Sequence, residues 1–291
     1  MKKFNSDFEI ENLKIVKSKL IINLTIAFPS NAFSIFIFEN HIKRNLVFNY
    51  IIDSFNSNSK NLKFFGNYPF EIKLKNSNLY FIGQKSGLYN FFNLIQLEEY
   101  LKKKYANWNS LAFYEMISSL KLKPYDKISS LKNWQKFLIE TAIIFSSQTK
   151  AALIHTNDFI NDISFVFFED YIKFCRQNYN CSFIFFDYKR DSKLLKIIDY
   201  IVLEKNGNIV CSDFHRNILN DFLKVEILNI DESTKKLLET KGRLKIIGNT
   251  LYFIGKISLD KLFELLKQNN ENVLVYKKEI SLDEIIEFYY K

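Results

Sequence analysis

Residues 8–28, FEIENLKIVKSKLIINLTIAF, alternate apolar and polar positions around a polar middle, the pattern of two half-buried strands joined by a turn. NAFSIFIF (31–38) is apolar almost throughout and too short for a helix, which predicts a fully buried strand. ENHIKRN (39–45) reads as a polar loop, and LVFNYIIDSF (46–55) has the apolar spacing of a helix. NLKFFG (61–66), FEIKL (70–74) and LYFIG (79–83) read as short strands. LIQLEEYLKKKY (94–105), LAFYEMISSLKL (111–122) and NWQKFLIETAIIFSS (133–147) read as helices. AALIH (151–155) and SFIFF (182–186) are predicted strands; SFVFFEDYIKFCRQ (164–177) and DSKLLKIID (191–199) are predicted helices. YIVLEKNGNIV (200–210) is a hairpin with Asn206-Gly207 at its turn. Strand and helix alternate over 31–55 and 133–199, which implies a mostly parallel, helix-covered sheet behind an antiparallel front. After about residue 215 the segments FLKVEILNI, GRLKIIGNTLYFIGK, LDKLFELLKQ and NVLVYKKE form a small separate α+β unit.

In an open α/β sheet, ligands sit just beyond the carboxyl ends of the strands. AALIH runs into such an end at His155, Thr156, Asn157 and Asp158, so any chemistry is sought there. No Gly-x-Ser-x-Gly, zinc-spaced Cys/His set or paired carboxylates at a strand end occurs. His41, His155 and His215 lie far apart in sequence; a His41–His155 metal pair is the alternative, and no metal site is expected. Cys175, Cys181 and Cys211 lack metal-like spacing and fit small buried thiols in a reducing compartment.

Of 291 residues, 47% are hydrophobic and 25% charged, which fits a packed core and excludes disorder. No apolar run approaches the ~18 residues of a membrane helix. The start, MKKFNSDFEIENL, lacks the apolar stretch of a signal peptide. The expectation is a soluble cytosolic protein. The net charge of +9 suggests nucleic acid, or else an acidic partner or an anionic membrane surface. However, only five of the 41 basic residues are Arg, Gly and Pro are scarce, and Phe, Ile, Asn and Tyr are abundant. That composition reflects AT-rich codons, and only YLKKKY (100–105) clusters its charge, so nucleic acid is not expected as a partner.

The order strand, loop, helix, helical insertion, helix, strand, helix, strand resembles the ATP-binding subunit of ABC transporters over nearly the whole chain. The tail, with Ser281, Leu282, Asp283, Glu284, Ile285 and Ile286, resembles the end of exporter-type subunits. The family's phosphate loop, G-x-x-G-x-G-K-S-T, falls on Phe38 to Leu46. Phe38, His41 and Lys43 stand where its glycines belong, Arg44 where its lysine does, and Asn45 and Leu46 where its hydroxyls do. Cβ atoms at the glycine positions disfavour an anion nest. LYFIGQKSGLY (79–89) resembles the strand into the Q-loop, with Gln84 as its glutamine. The signature L-S-G-G-Q aligns with Leu131, Lys132, Asn133, Trp134 and Gln135. Ungapped from there, His155 falls on the Mg²⁺-ligating Asp, Thr156 on the catalytic Glu and Asp162 on the D-loop Asp, and Lys189 takes the place of the switch His. Imidazole is a poor Mg²⁺ ligand, and a threonine hydroxyl is no general base near neutral pH.

The resemblance implies an α/β fold of the ABC ATPase type: a P-loop NTPase-like mixed sheet, an antiparallel front sheet and a helical insertion at about 93–130. The division would be an ATP-binding domain over 1–212 and a C-terminal α+β accessory domain over 213–291. The function implied is a pseudo-ATPase subunit, a structural or regulatory partner of a membrane permease, peripheral at the inner face of the cell membrane. The alternatives are a residual weak ATPase driving export and an interaction module that has left transport. No cofactor is expected, with ATP and Mg²⁺ weak at best on Asn40, Lys43, Arg44, Asn45, Gln84 and Gln135. The permease would dock on Gln84, Tyr89, Phe91 and Phe92, and a homodimer or a heterodimer with another ATP-binding subunit is expected.

Overall fold

The computed structural model describes residues 4–290 except 18, 56, 58, 70, 72–77, 84–89, 120–121, 157–164, 179, 189–192, 248–249 and 268–272. In chain order the first part runs β1 (Ser6–Lys17), β2 (Leu20–Pro29), β3 (Phe33–Ile37), α1 (His41–Ser54), β4 (Leu62–Phe64) and β5 (Leu79–Ile82). Then come α2 (Leu94–Lys104), α3 (Ser110–Ser119), α4 (Asn133–Ser146), β6 (Ala151–His155), α5 (Phe165–Asn178), β7 (Ser182–Asp187), β8 (Tyr200–Lys205), β9 (Asn208–Phe214) and α6 (His215–Asp221). The remainder is β10 (Leu223–Leu228), α7 (Glu232–Lys241), β11 (Arg243–Ile247), β12 (Thr250–Gly255), α8 (Leu259–Lys267), β13 (Leu274–Lys278) and α9 (Leu282–Tyr290).

The central sheet has the order β5-β6-β7-β3-β8-β9. Its first five strands are parallel, and β9 closes it antiparallel through the β8–β9 hairpin. Every residue of β3, β6 and β7 is buried, because both faces of the sheet are covered. On one face lies the antiparallel sheet β2-β1-β4, whose alternating burial leaves one side to solvent. Phe8, Phe28, Phe36, Phe38, Phe64 and Phe186 fill the layer between, with Phe8–Phe64 and Phe36–Phe38 stacked at 4.6 and 4.1 Å. On the other face Ile35, Ile37 and Phe185 pack against α2, α3, α4, α6 and α9.

The hairpin turn needs its glycine. Asn206 and Gly207 have φ of 53° and 82°, the left-handed pair that matches strand twist. A Cβ on Gly207 would stand 2.0 Å from the Ile21 carbonyl oxygen, and the Gly207 carbonyl accepts the Asn23 N–H at 2.6 Å. The turn therefore docks backbone to backbone on β2.

The order β11-β12-β10-β13 is all antiparallel, with α7 following β10 and α8 following β12. This split βαβ arrangement has a core of its own around Val225, Ile227, Leu238, Phe253, Leu262 and Leu266. The chain then turns back, and α9 buries Leu282, Ile285, Ile286 and Tyr290 in the core on the helical face of the central sheet.

Two expectations need correction. Residues 41–45 are not loop: α1 starts at His41, where the Asn40 side chain caps it by accepting the Lys43 N–H at 3.0 Å. Its polar first turn is read as surface in the sequence, yet Lys43 and Arg44 are each only 5% exposed because distant partners hold them. DSKLLKIID forms a single 3-10 turn over Lys193–Lys196 among its described residues, not a helix. Asp199 is held there by the Phe33 N–H and Arg176, and Tyr200 already pairs with β3. The expected strand at 70–74 lies outside the described residues save Glu71, which is helical.

Candidate functional site

The carboxyl ends of β3, β6 and β7 converge on the start of α1, the place the topology offers a ligand. Between β3 and α1 stand only Phe38, Glu39 and Asn40. The Phe38 ring is fully buried among Phe36, Phe48 and Phe186, and its N–H donates to the Asp187 carbonyl at 2.8 Å. No loop wraps forward to present successive N–H groups, so the link is a tight turn anchored by a core phenylalanine.

The two basic residues of the first helical turn diverge. The Lys43 ammonium donates to Glu39 Oε2 at 2.5 Å and to Glu204 Oε1 at 2.9 Å. Glu204 is fully buried and also accepts N–H groups from Glu39 at 3.1 Å and Gly207 at 2.5 Å. Burial alone would push the Lys43 pKa down; its hydrogen bonds to the Glu39 and Glu204 carboxylates outweigh it and hold it above the usual 10.5. Glu39 is held below its usual 4.5, chiefly by the hydrogen bond from Lys43. This triad ties α1 to the β8–β9 hairpin.

Arg44 points to the other side. Its Nη1 donates to the Thr156 carbonyl at 2.5 Å, its Nε and Nη2 donate to Asn45 Oδ1 at 3.2 and 3.1 Å, and its guanidinium lies 4.8 Å from the Tyr188 ring centre. His155 Nε2 shares the Asn45 oxygen at 2.7 Å, and its ring meets Phe48 edge-on at 5.0 Å. The Thr156 hydroxyl donates to the Phe186 carbonyl at 2.8 Å. Thus the ends of β6 and β7 are stapled to α1 by the chain's own groups.

A magnesium nucleotide needs backbone N–H groups around its phosphates, a free ammonium and oxygen ligands for the metal. Here Lys43 and Arg44 are engaged internally, the Glu39 carboxylate stands at the turn, and Thr156 spends its hydroxyl on a carbonyl. Among the described residues no group of three His, Cys, Asp or Glu could hold a metal ion. The residues described do not fit that ligand.

Asn40, Lys43, Arg44, Asn45, His155 and Thr156 are thus brought together. Gln84, Tyr89, Asp162 and Lys189 lie outside the described residues. Leu131, Lys132, Asn133 and Trp134 line an open depression of about 500 Å³, and Gln135 accepts the Lys132 N–H at 2.9 Å, capping α4. Phe91 is 87% exposed, whereas Phe92 packs against the helical core. Sequence reasoning missed Glu204, Glu39 and Tyr188. A charged residue inside the apolar run YIVLEK, two positions before a tight turn, is the signal that marks Glu204. It also missed Tyr290, whose buried hydroxyl donates to the Ile37 carbonyl at 2.8 Å at the end of β3.

No protein-family model matches the sequence, and neither does any curated protein. Solved structures do match. A nucleotide-free ATP-binding cassette from an ABC transporter superposes with a TM-score of 0.53 at 15% identity, covering 74% of this chain and 96% of its own. The fold is that of an ATP-binding cassette. An ATP-binding protein assigned to cobalt transport gives 0.57 at 14% identity, covering 87% of this chain and 93% of its own. The cassette cbiO1 of Clostridium perfringens, part of the transporter complex cbiONQ, gives 0.55 at 10% identity over 81% and 94%. The mixed sheet, antiparallel front sheet and helical insertion expected from the sequence are the cassette architecture seen here.

Proposed function

We propose that this chain is a cassette subunit without hydrolysis, a fixed structural or regulatory partner of a membrane permease. The single observation carrying this is Arg44. In a working cassette the basic residue here faces phosphate; in this chain it is bonded to Thr156 and stacked on Tyr188, cross-linking the strand ends that a nucleotide would bridge. The cbiO1 cassette, which is part of a transporter complex, supports a permease as partner. An exporter-type permease fits the tail at Ser281–Ile286, and docking on Gln84, Tyr89, Phe91 and Phe92 fits the exposure of Phe91. In that reading the chain sits at the inner face of the cell membrane, as a homodimer or beside a second ATP-binding subunit, with residues 213–291 as an accessory domain.

Titration calorimetry with ATP and Mg²⁺ tests the first half, and co-purification with a co-expressed permease tests the second. The expected result is no heat at micromolar nucleotide and a stable complex. Micromolar affinity, or turnover lost on Arg44→Ala, would restore the weak-ATPase reading. A chain that binds no permease would be an interaction module outside transport.

A further inference from the structure

The YLKKKY cluster is left unused by the reading above. Lys102, Lys103 and Lys104 end α2 and are exposed. A helix C-terminus favours cations, which explains one or two of them. Their surroundings ask for more. The Lys104 ammonium lies 6.0 Å from the Tyr100 ring centre and 5.2 Å from that of Tyr105, and the Phe92 ring lies 5.6 Å from Tyr100. Phe91, next to it, is 87% exposed. The segment 123–128 runs alongside: the Ile95 N–H donates to the Pro124 carbonyl at 3.4 Å, and the Ile128 N–H donates to the Phe92 carbonyl at 3.0 Å. That segment adds exposed Lys123 and Lys127 and a Tyr125 that is 78% exposed.

Some lysines elsewhere in the chain are matched by acids: Lys224 with Glu284, Lys256 with Asp221 and Lys278 with Glu226. Among the described residues none of Lys102, Lys103, Lys104, Lys123 and Lys127 is in an ion pair, while Glu98 is turned inward to accept the Trp108 indole N–H. Five exposed lysines outnumber the nearby acids Glu99 and Asp126, and such a cationic patch with protruding aromatic rings is complementary to an anionic bilayer surface. Rings settle at the headgroup level, and lysines reach the phosphates.

We propose that the edge formed by Tyr125 and Lys102–Lys104, together with the part of Phe91 that a docked permease leaves uncovered, rests directly on anionic lipid. This deepens the peripheral-membrane part of the reading above. Vesicles carrying no protein separate the two, since they test lipid contact without a permease.

The experiment is co-sedimentation of the full chain with phosphatidylcholine vesicles and with vesicles about one-third phosphatidylglycerol. Binding is expected only to the anionic vesicles, weakening as salt shortens the Debye length to about 3 Å at 1 M. Each lysine at such a surface is worth about fivefold in affinity, so Lys102→Gln/Lys103→Gln/Lys104→Gln should lose on the order of a hundredfold. Phe91→Ser/Tyr125→Ser should weaken binding at unchanged salt slope. All five sites are exposed, and unchanged melting of each variant confirms that the fold is kept. Lys14→Gln/Lys17→Gln/Lys19→Gln, on the β1–β2 hairpin, should bind as the parent does. The proposal is overturned if anionic vesicles are not bound, or if the hairpin variant loses binding and the helix variant does not. It is equally overturned if vesicles are ignored while the Lys102–Lys104 variant loses a co-purified permease, which would assign the patch to an acidic protein surface.

Discussion

Lys43→Met separates a lysine kept for a phosphate from one kept for the fold. The native ammonium is shared between Glu204, fully buried, and Glu39, 30% exposed. At 2.9 Å and an effective dielectric near 20, the Lys43–Glu204 attraction is about 6 kcal/mol. Desolvating two ions costs several kcal/mol each, so the intact triad is worth little compared with apolar residues of the same shape. Removing the cation alone is different. Glu204 would keep the Glu39 and Gly207 N–H groups but face burial as an uncompensated anion. That loss is about 3–5 kcal/mol, out of a total near 5–15 kcal/mol. At roughly 2–4 °C per kcal/mol for chains of this size or a little smaller, melting should fall by roughly 6–20 °C. Thermal melts followed by circular dichroism measure the shift, and urea titration the free energy. The double variant Lys43→Met/Glu204→Gln should recover part of the loss: the buried charge is gone, but the single amide oxygen can replace only one of the two carboxylate oxygens that accept the Glu39 and Gly207 N–H groups. A lysine held ready for a ligand behaves oppositely, and its loss leaves stability unchanged or raised. A Lys43→Met loss below about 1 kcal/mol, or no recovery in the double variant, would refute the structural role.

Gly207→Ala should destabilise by about 2 kcal/mol or more, read in thermal melts, because the added Cβ meets the Ile21 carbonyl at a positive φ. Asn206→Gly in the same turn should be nearly neutral. Tyr290→Phe removes one buried hydrogen bond to Ile37 and should cost about 1–2 kcal/mol, with faster amide exchange at the β3–α1 turn than at β11. The lowered pKa of Glu39 means that the folded state binds its proton less readily than the unfolded chain. Its contribution is complete above pH 4.5 and fades as pH falls through the lowered value. Glu39→Gln should thus cost about 0.5–1 kcal/mol at pH 7 and progressively less as the pH is taken below 4.5, in a series of denaturation curves.

The central strands were legible because burial on both faces writes an uninterrupted apolar run, as in AALIH and SFIFF. The hairpin was legible because Asn-Gly is a local turn signal. The start of α1 was not. HIKRN is polar, and its burial depends on Glu204, 161 residues away, and on the Thr156 carbonyl, 112 residues away. Periodicity carries no information about such partners. For the candidate site, sequence alignment named the positions, His155 and Arg44 among them. What those side chains do was decided by long-range contacts: Arg44 turns inward to Thr156 and Tyr188, and Lys43 turns to the hairpin.

The tie from Tyr290 to Ile37 spans 253 residues, so α9 and the early strand β3 finish one core together. On the ribosome, β3 and its neighbours β7 and β8 are complete once Lys205 has been made. At about 5–20 residues per second, α9 follows only after some 4–17 s, with the βαββαβ unit synthesised in between. Throughout that interval the slot for Ile285 and Ile286, both fully buried in the finished protein, lies open as apolar surface. Nascent chains halted before Leu282 should therefore recruit holding chaperones that the released protein ignores.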